Sequence, residues 1–191
     1  PGNVQQENRM ARVRYNDPED LPEADREILK RRINLHRALS NSVGGTRAFS
    51  GLGQWIRFKA KLDPRLREMA ILQVGWLARS DYEWSHHVKI GKEFGVSDDD
   101  VRAIIAETDG KDSGLPALDR AVLRAAREMA EGPGMKEATF AELKAELGEE
   151  LMVELTLVIG FYCAVVRVLN TLGIDVEPDY QPYLDAFPFP K

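Results

Sequence analysis

Apolar positions in this chain recur at the three- and four-residue spacing of helices, without alternating β-branched runs or hairpin dipeptides, so the pattern predicts an all-α fold. The spacing predicts helices from Pro22 or Glu23 to about Arg32, from Asn34 to Leu39 and from about Arg47 to Lys59. Asp63 offers an N-cap and Pro64 fills the first helical position, where its missing N–H costs nothing, so a further helix reaches about Ala78. Its second half, MAILQVGWLA, is apolar all round and must be buried. Ser80, followed three residues later by Glu83, reads as a capping box opening the next helix, which ends near Phe94 before Gly95. Ser97 caps another, with Asp98 to Asp100 at its positive end.

A helix from Pro116 to about Glu131 stops at Gly132, Pro133 and Gly134. Thr139 with Glu142 reads as a capping box for a short helix ending at Gly148, and the last helix runs from about Glu149 to Leu172. Its stretch LTLVIGFYCAVV is apolar on every side, which predicts neighbours all around it and hence an oligomer. The proline-rich tail after Ile174 is expected to lie extended over the surface or onto another subunit. These breaks divide the chain into a flexible or adventitious N-terminal arm (1–14), one helical domain (15–177) and a C-terminal tail (178–191).

Charge narrows the functions. Lys and Arg total 26 against 31 Asp and Glu, a net charge of -5, and no basic run occurs, which disfavours nucleic-acid partners. The longest apolar segments, Met69 to Ala78 and Leu155 to Val166, fall short of the ~18 residues of a membrane span, so no membrane partner is expected. Cys163 is the sole cysteine and the start of the chain lacks a signal-peptide pattern, which predicts a cytoplasmic protein without disulfides.

The chemistry concentrates in REMAILQVGWLARSDYEWSHHVKIGKEFGVS. At about 100° per residue, His87 lies about 40° from Glu83 around the helix, so both share the apolar face, whereas His86 sits about 60° away on its flank. Ser85, Lys89 and Lys92 are expected on the opposite, wet side. On the preceding helix, Glu68 has Ile71, Leu72 and Gly75 at the positions that share its face, so its carboxylate is also expected to be buried. A buried carboxylate must be paired, hydrogen-bonded or protonated, and Glu68, Glu83 and His87 could satisfy one another and pass protons near neutral pH. Each has a plainer explanation: Ser80 and Glu83 as a helix cap, His87 and His36 as core histidines, Glu68 as a partner for a nearby arginine. Glu83 and His86 also show the Glu-x-x-His spacing of carboxylate-bridged metal sites, but a second such pair is missing, so no metal is expected.

The segment LDPRLREMAILQVGWLARSDYEWSHHVKIGKEFGVSDDDV resembles the central signature of the carboxymuconolactone decarboxylase family, related to alkyl hydroperoxidase D. NLHRALSNSV and VVRVLNTLGIDVE extend that resemblance over about Tyr15 to Glu177. It implies an alkyl hydroperoxidase D-like helical bundle, assembled as a homotrimer or a hexamer of trimers. In the peroxidase branch a glutamate is followed by two cysteines and a histidine; the matching positions here are Glu68, Ser80, Glu83 and His87, so both sulfur positions depart and thiol peroxidase chemistry is not expected. The decarboxylase branch implies a cofactor-free lyase, or a related proton-transfer enzyme of aromatic-compound catabolism, acting on a small carboxylated lactone or carbonyl compound. His87 is then the general acid/base, with Glu83 or Glu68 orienting it. Ser80, Tyr82, Trp84 and His86 are the expected substrate-binding wall, and Arg79, Arg65 or Arg67 the clamp on a substrate carboxylate. The alternatives are a vestigial peroxidase-related protein and a non-catalytic oligomeric binding protein.

Overall fold

The computed structural model describes residues 11–190 and is helical throughout, with no strand among the described residues. Most of the expected N-terminal arm, residues 1–10, lies outside the described residues. The first expected helix is instead a 3₁₀ segment, Glu23–Leu29, preceded by a shorter 3₁₀ turn, Pro18–Asp20, that was not expected. They are followed by α1 (Asn34–Leu39), α2 (Val43–Phe58), α3 (Pro64–Leu77), α4 (Asp81–Glu93), α5 (Asp98–Thr108), α6 (Ala117–Glu131), α7 (Glu137–Leu172) and α8 (Gln181–Ala186).

Helix α3 is the axis of the molecule and packs against α4, α5, α6 and α7. Every residue from Leu66 to Trp76 is buried, as its all-round apolar pattern requires. The Asp63 carboxylate accepts the Leu66 N–H at 2.9 Å and so caps the helix. Asp63→Ala is expected to cost about 0.5–2 kcal/mol in denaturant unfolding.

At its C-terminal end, α3 closes with the Arg79 N–H donating to the Trp76 carbonyl and the Ser80 N–H to the Gly75 carbonyl, the reciprocal bonds of a Schellman motif. Arg79 therefore occupies the left-handed position, φ 46°, that glycine usually takes. Beside this turn α4 crosses α3 closely: a Cβ on Gly75 would sit 3.4 Å from the Trp84 backbone nitrogen and 3.5 Å from the Glu83 side chain. These are ordinary van der Waals distances, so a methyl at 75 would just touch the Glu83 end of α4.

Two expectations change and one holds. Thr139 and Glu142 do not cap a helix, because both engage Arg124 of α6 instead. The break expected at Gly148 is present: its backbone leaves the helical region, φ 76° and ψ 178°, so the span labelled α7 is two helices meeting at a kink. The tail is not extended: Pro178–Tyr180 forms a 3₁₀ turn and α8 follows, packed across α4. Phe187 and Phe189 then close on Trp76 and Trp84, with the Phe189 and Trp76 rings stacked at 4.8 Å. That cover is why Ser85, expected in water, is fully buried, and why Lys89 lies over the Tyr180 ring.

By length and composition α7 is also apolar enough to cross a membrane, which the count of unbroken apolar residues missed because isolated charges interrupt it. In this fold one side of α7 supplies Leu155, Val158, Ile159 and Val166 to the core, while Val153 and Leu157 remain exposed on the other.

Candidate active site

Glu68 and His87 meet across the α3–α4 crossing, with His87 Nδ1 2.6 Å from Glu68 Oε2. The other oxygen of Glu68 accepts from Arg67 Nε at 3.0 Å, so two neighbouring residues of α3 form a buried ion pair, 2% and 1% exposed. Burial pushes the Glu68 carboxyl up, but His87 and Arg67 together outweigh it and hold the group below the ordinary value of 4.5. An ionised Glu68 can only accept, so His87 presents Nδ1–H to it and turns Nε2 the other way.

On that other side, His87 Nε2 lies 3.1 Å from Glu83 Oε1. The contact lacks hydrogen-bond geometry, and Glu83 Oε1 is buried without a partner. The Ser80 hydroxyl accepts the Glu83 N–H at 3.4 Å, but the reciprocal bond of a capping box is absent, since the Ser80 N–H goes to Gly75. Released from that role, the Glu83 carboxyl faces a cavity, and burial, followed by the Glu68 charge, keeps its pKa above 4.5 against the pull of His87. Two carboxyl groups flanking one imidazole are thus driven apart, one toward the anion and one toward the acid.

The sign of the Glu83 effect gives a test. A carboxyl with a raised folded-state pKa contributes stability that is present below its unfolded pKa and lost as pH rises through the folded one. The stability of Glu83→Gln relative to wild type is therefore expected to increase as pH rises above about 4.5 and then level off, read from urea midpoints across pH.

The cavity, about 250 Å³, is enclosed by α1, α2, α4, α7 and the residues just before α1. Glu83, His87, Tyr82 and His86 line it, as do Phe161 and Tyr162 of α7. His87 meets Tyr162 edge-on at 5.1 Å between ring centroids.

Not every expected site residue reaches the cavity. Ser80 is an N-cap behind it. Trp84 is a fully buried core residue whose indole N–H donates to the Phe187 carbonyl at 2.8 Å, so it fastens the tail and walls nothing. Arg79 is turned outward by its left-handed backbone, its guanidinium 3.4 Å from the Pro190 carbonyl. Arg65 is held by Asp100 and Asp119, and Arg67 by Glu68, so neither is a free clamp.

The arginines that do line the cavity are Arg31 and Arg57, which the sequence reading passed over. They stand outside the signature segment, and no spacing rule connects them to it. His36, read as a packing residue, and Ser50 also face the cavity. Glu177 was missed as well. It accepts from the Asn34 N–H at 2.6 Å and the Tyr82 hydroxyl at 3.0 Å, and its other oxygen lies 2.6 Å from His86 Nε2. His86 is sandwiched between the Tyr82 and Tyr180 rings, and burial pushes its pKa down to about 4, so the neutral ring donates to Glu177. Among the described residues no group of three or more His, Cys, Asp or Glu is arranged to hold a metal.

This arrangement of helices is that of an alkyl hydroperoxidase D-like core. A peroxidase-related protein from Ralstonia eutropha JMP134 with an AhpD core superposes with a TM-score of 0.77 at 20% identity, covering 91% of this chain and 95% of that one. A peroxidase-related protein from Silicibacter sp. TM1040 gives 0.76 at 18% identity over 94% and 97%. A cysteine-to-alanine variant of the debrominase Bmp8, in complex with 2,3,4-tribromopyrrole, gives 0.71 at 18% over 91% and 95%. No curated protein matches the sequence. The family model described as the carboxymuconolactone decarboxylase family matches residues 45–128, the segment carrying Glu68, Glu83 and His87. Over residues 45–128 the sequence matches the carboxymuconolactone decarboxylase family, and the fold is that of an AhpD-like core.

Proposed function

We propose that this protein is an acid–base enzyme, a lyase or proton-transfer catalyst acting on a small carboxylated lactone or carbonyl compound without a cofactor. The observation that carries the reading is His87 held between the Glu68 and Glu83 carboxyls on a cavity wall. Glu68 orients the ring, Nε2 is the nitrogen that exchanges a proton with substrate, and the acid form of Glu83 donates to a substrate carbonyl oxygen. Proton removal next to that carbonyl sends the C–H electron pair into an enolate that Glu83 stabilises. In a decarboxylation the bond to the carboxylate carbon breaks instead, and carbon dioxide leaves. The released pair enters the carbonyl, a proton on Nε2 is delivered to carbon, and solvent restores it. Arg31 and Arg57 supply positive charge for a substrate carboxylate. Ser80 and Glu83 stand where a peroxide-reducing thiol pair would be needed, so the reading leaves redox chemistry aside.

The test is solvent exchange. Wild-type protein in deuterated buffer, incubated with carboxylated lactones and keto acids, should speed deuterium entry beside the carbonyl or release carbon dioxide, followed by proton NMR. Rates equal to buffer for the whole panel would sink the proposal.

The proposal extends to a cytoplasmic homotrimer or hexamer in which a second copy covers the exposed side of α7 around Val153 and Leu157. A monomer by sedimentation velocity at micromolar concentration would contradict that part.

A further inference from the structure

Among the described residues four buried side-chain atoms lack a hydrogen-bond partner, namely His36 Nδ1, Ser50 Oγ, Arg67 Nη2 and Glu83 Oε1, and three of them belong to residues lining the candidate active-site cavity. Buried polar atoms are nearly always paired, because each one left bare costs about 1–3 kcal/mol. Glu83 Oε1 is accounted for by the acid–base reading. His36 Nδ1 and Ser50 Oγ, brought together by α1 and α2, are not.

Their chemistry restricts what would satisfy them. The His36 ring bonds the backbone of Arg31, and burial, followed by the Arg31 charge, pushes its pKa below 6.5. A neutral ring that donates one N–H to a carbonyl keeps its other nitrogen as a bare acceptor, so Nδ1 calls for a hydroxyl or N–H donor. The serine hydroxyl can accept from such a group or donate to its oxygen. Arg31 stands beside them, exposed, with its charge acting on His36, Tyr82, Glu83 and His86 alike. Arg31, His36, Ser50 and Gln54 also line an outer hollow between the Glu23–Leu29 segment and α2, so the polar edge stands where the inner cavity meets that hollow. The rest of the wall is largely apolar and aromatic, with Phe49, Phe161 and Tyr162. About 250 Å³ is below the ~300–1,000 Å³ of drug-sized sites and suits a single ring.

We infer that the cavity recognises a single-ring carboxylate bearing a hydroxyl group, with His36 Nδ1 and Ser50 Oγ bonding the hydroxyl and Arg31 pairing with the carboxylate. This rests on the reading of the cavity as the substrate site and adds the chemical class that fits it. A site built around a hydroxyl rejects the analogue that lacks it, because its own polar atoms are then left bare.

Titration calorimetry with 3- and 4-hydroxybenzoate, benzoate and the matching methoxybenzoates tests the inference on the full chain. At least one hydroxybenzoate is expected to bind wild type about ten-fold or more tightly than benzoate and its methyl ether. His36→Leu and Ser50→Ala should each erase that preference. Arg31→Gln should weaken hydroxybenzoate and benzoate by the same factor. His87→Gln should keep the preference, which separates recognition from catalysis: a preference without proton exchange in any assay would sink the catalytic reading alone. Equal binding of hydroxyl and methoxy compounds, a preference surviving in folded His36→Leu and Ser50→Ala, or no binding of either hydroxybenzoate would overturn the inference.

Discussion

Glu68→Gln is expected to destabilise the fold by about 3–5 kcal/mol, because it leaves the Arg67 guanidinium buried without its counter-charge. The carbonyl and aromatic contacts of Arg67, to the backbone of Arg57 and the ring of Phe94, cannot replace a neutralising anion. Replacing both partners by apolar residues of similar volume, Arg67→Met with Glu68→Leu, should cost clearly less than Glu68→Gln alone. Urea unfolding of the two variants checks the order. Glu68 also sets part of the acid sensitivity. Its pKa is lowered in the fold, so its contribution is present above the unfolded value near 4.5 and is lost as pH falls through the lower folded one. Wild type should therefore lose stability on acidification over that window, and Glu68→Gln should lose less.

The second large effect falls on activity. His87→Gln removes the one group that both carboxyls address, and a positioned general acid–base residue typically contributes about 10²–10⁴-fold. Proton exchange or decarboxylation of a responsive substrate should fall by that factor. Stability should fall far less than in Glu68→Gln, because the amide can still donate to Glu68 and leaves the Arg67–Glu68 pair intact. A substrate turned over equally by wild type and His87→Gln would remove His87 from the chemistry.

The distribution of what could be read from the sequence follows from range. Periodicity and caps are local, so the start of α3 at Asp63 and Pro64, the start of α4 at Ser80, and the shared face of Glu83 and His87 were all legible. Glu68 was placed correctly against His87 because α3 and α4 are joined by a tight turn, leaving little freedom in how they cross. The opposite wall was not legible. Arg31, His36, Ser50 and Arg57 lie on or before α1 and α2, whose approach to α4 depends on long-range packing that no spacing encodes. Arg79 shows how a local backbone feature defeats a plausible assignment, since a left-handed residue directs its side chain away from the helix face its number suggests. The tail was misread because prolines within it suggested extension. Pro178 and Pro182 instead occupy first-turn positions, where proline favours helical starts; Tyr180 of the turn then stacks on His86, and Phe189 beyond α8 stacks on Trp76.

The central claim, that Glu68 fixes His87 so that Nε2 faces the cavity, can be measured without knowing the substrate. A long-range proton–nitrogen NMR spectrum of the three imidazoles, assigned through His36, His86 and His87 variants, reports which nitrogen of each ring carries hydrogen. The account predicts a His87 ring protonated at Nδ1 in a strong hydrogen bond that disappears in Glu68→Gln. A His87 ring with a bare Nδ1 and its proton on Nε2, unchanged by Glu68→Gln, would contradict it.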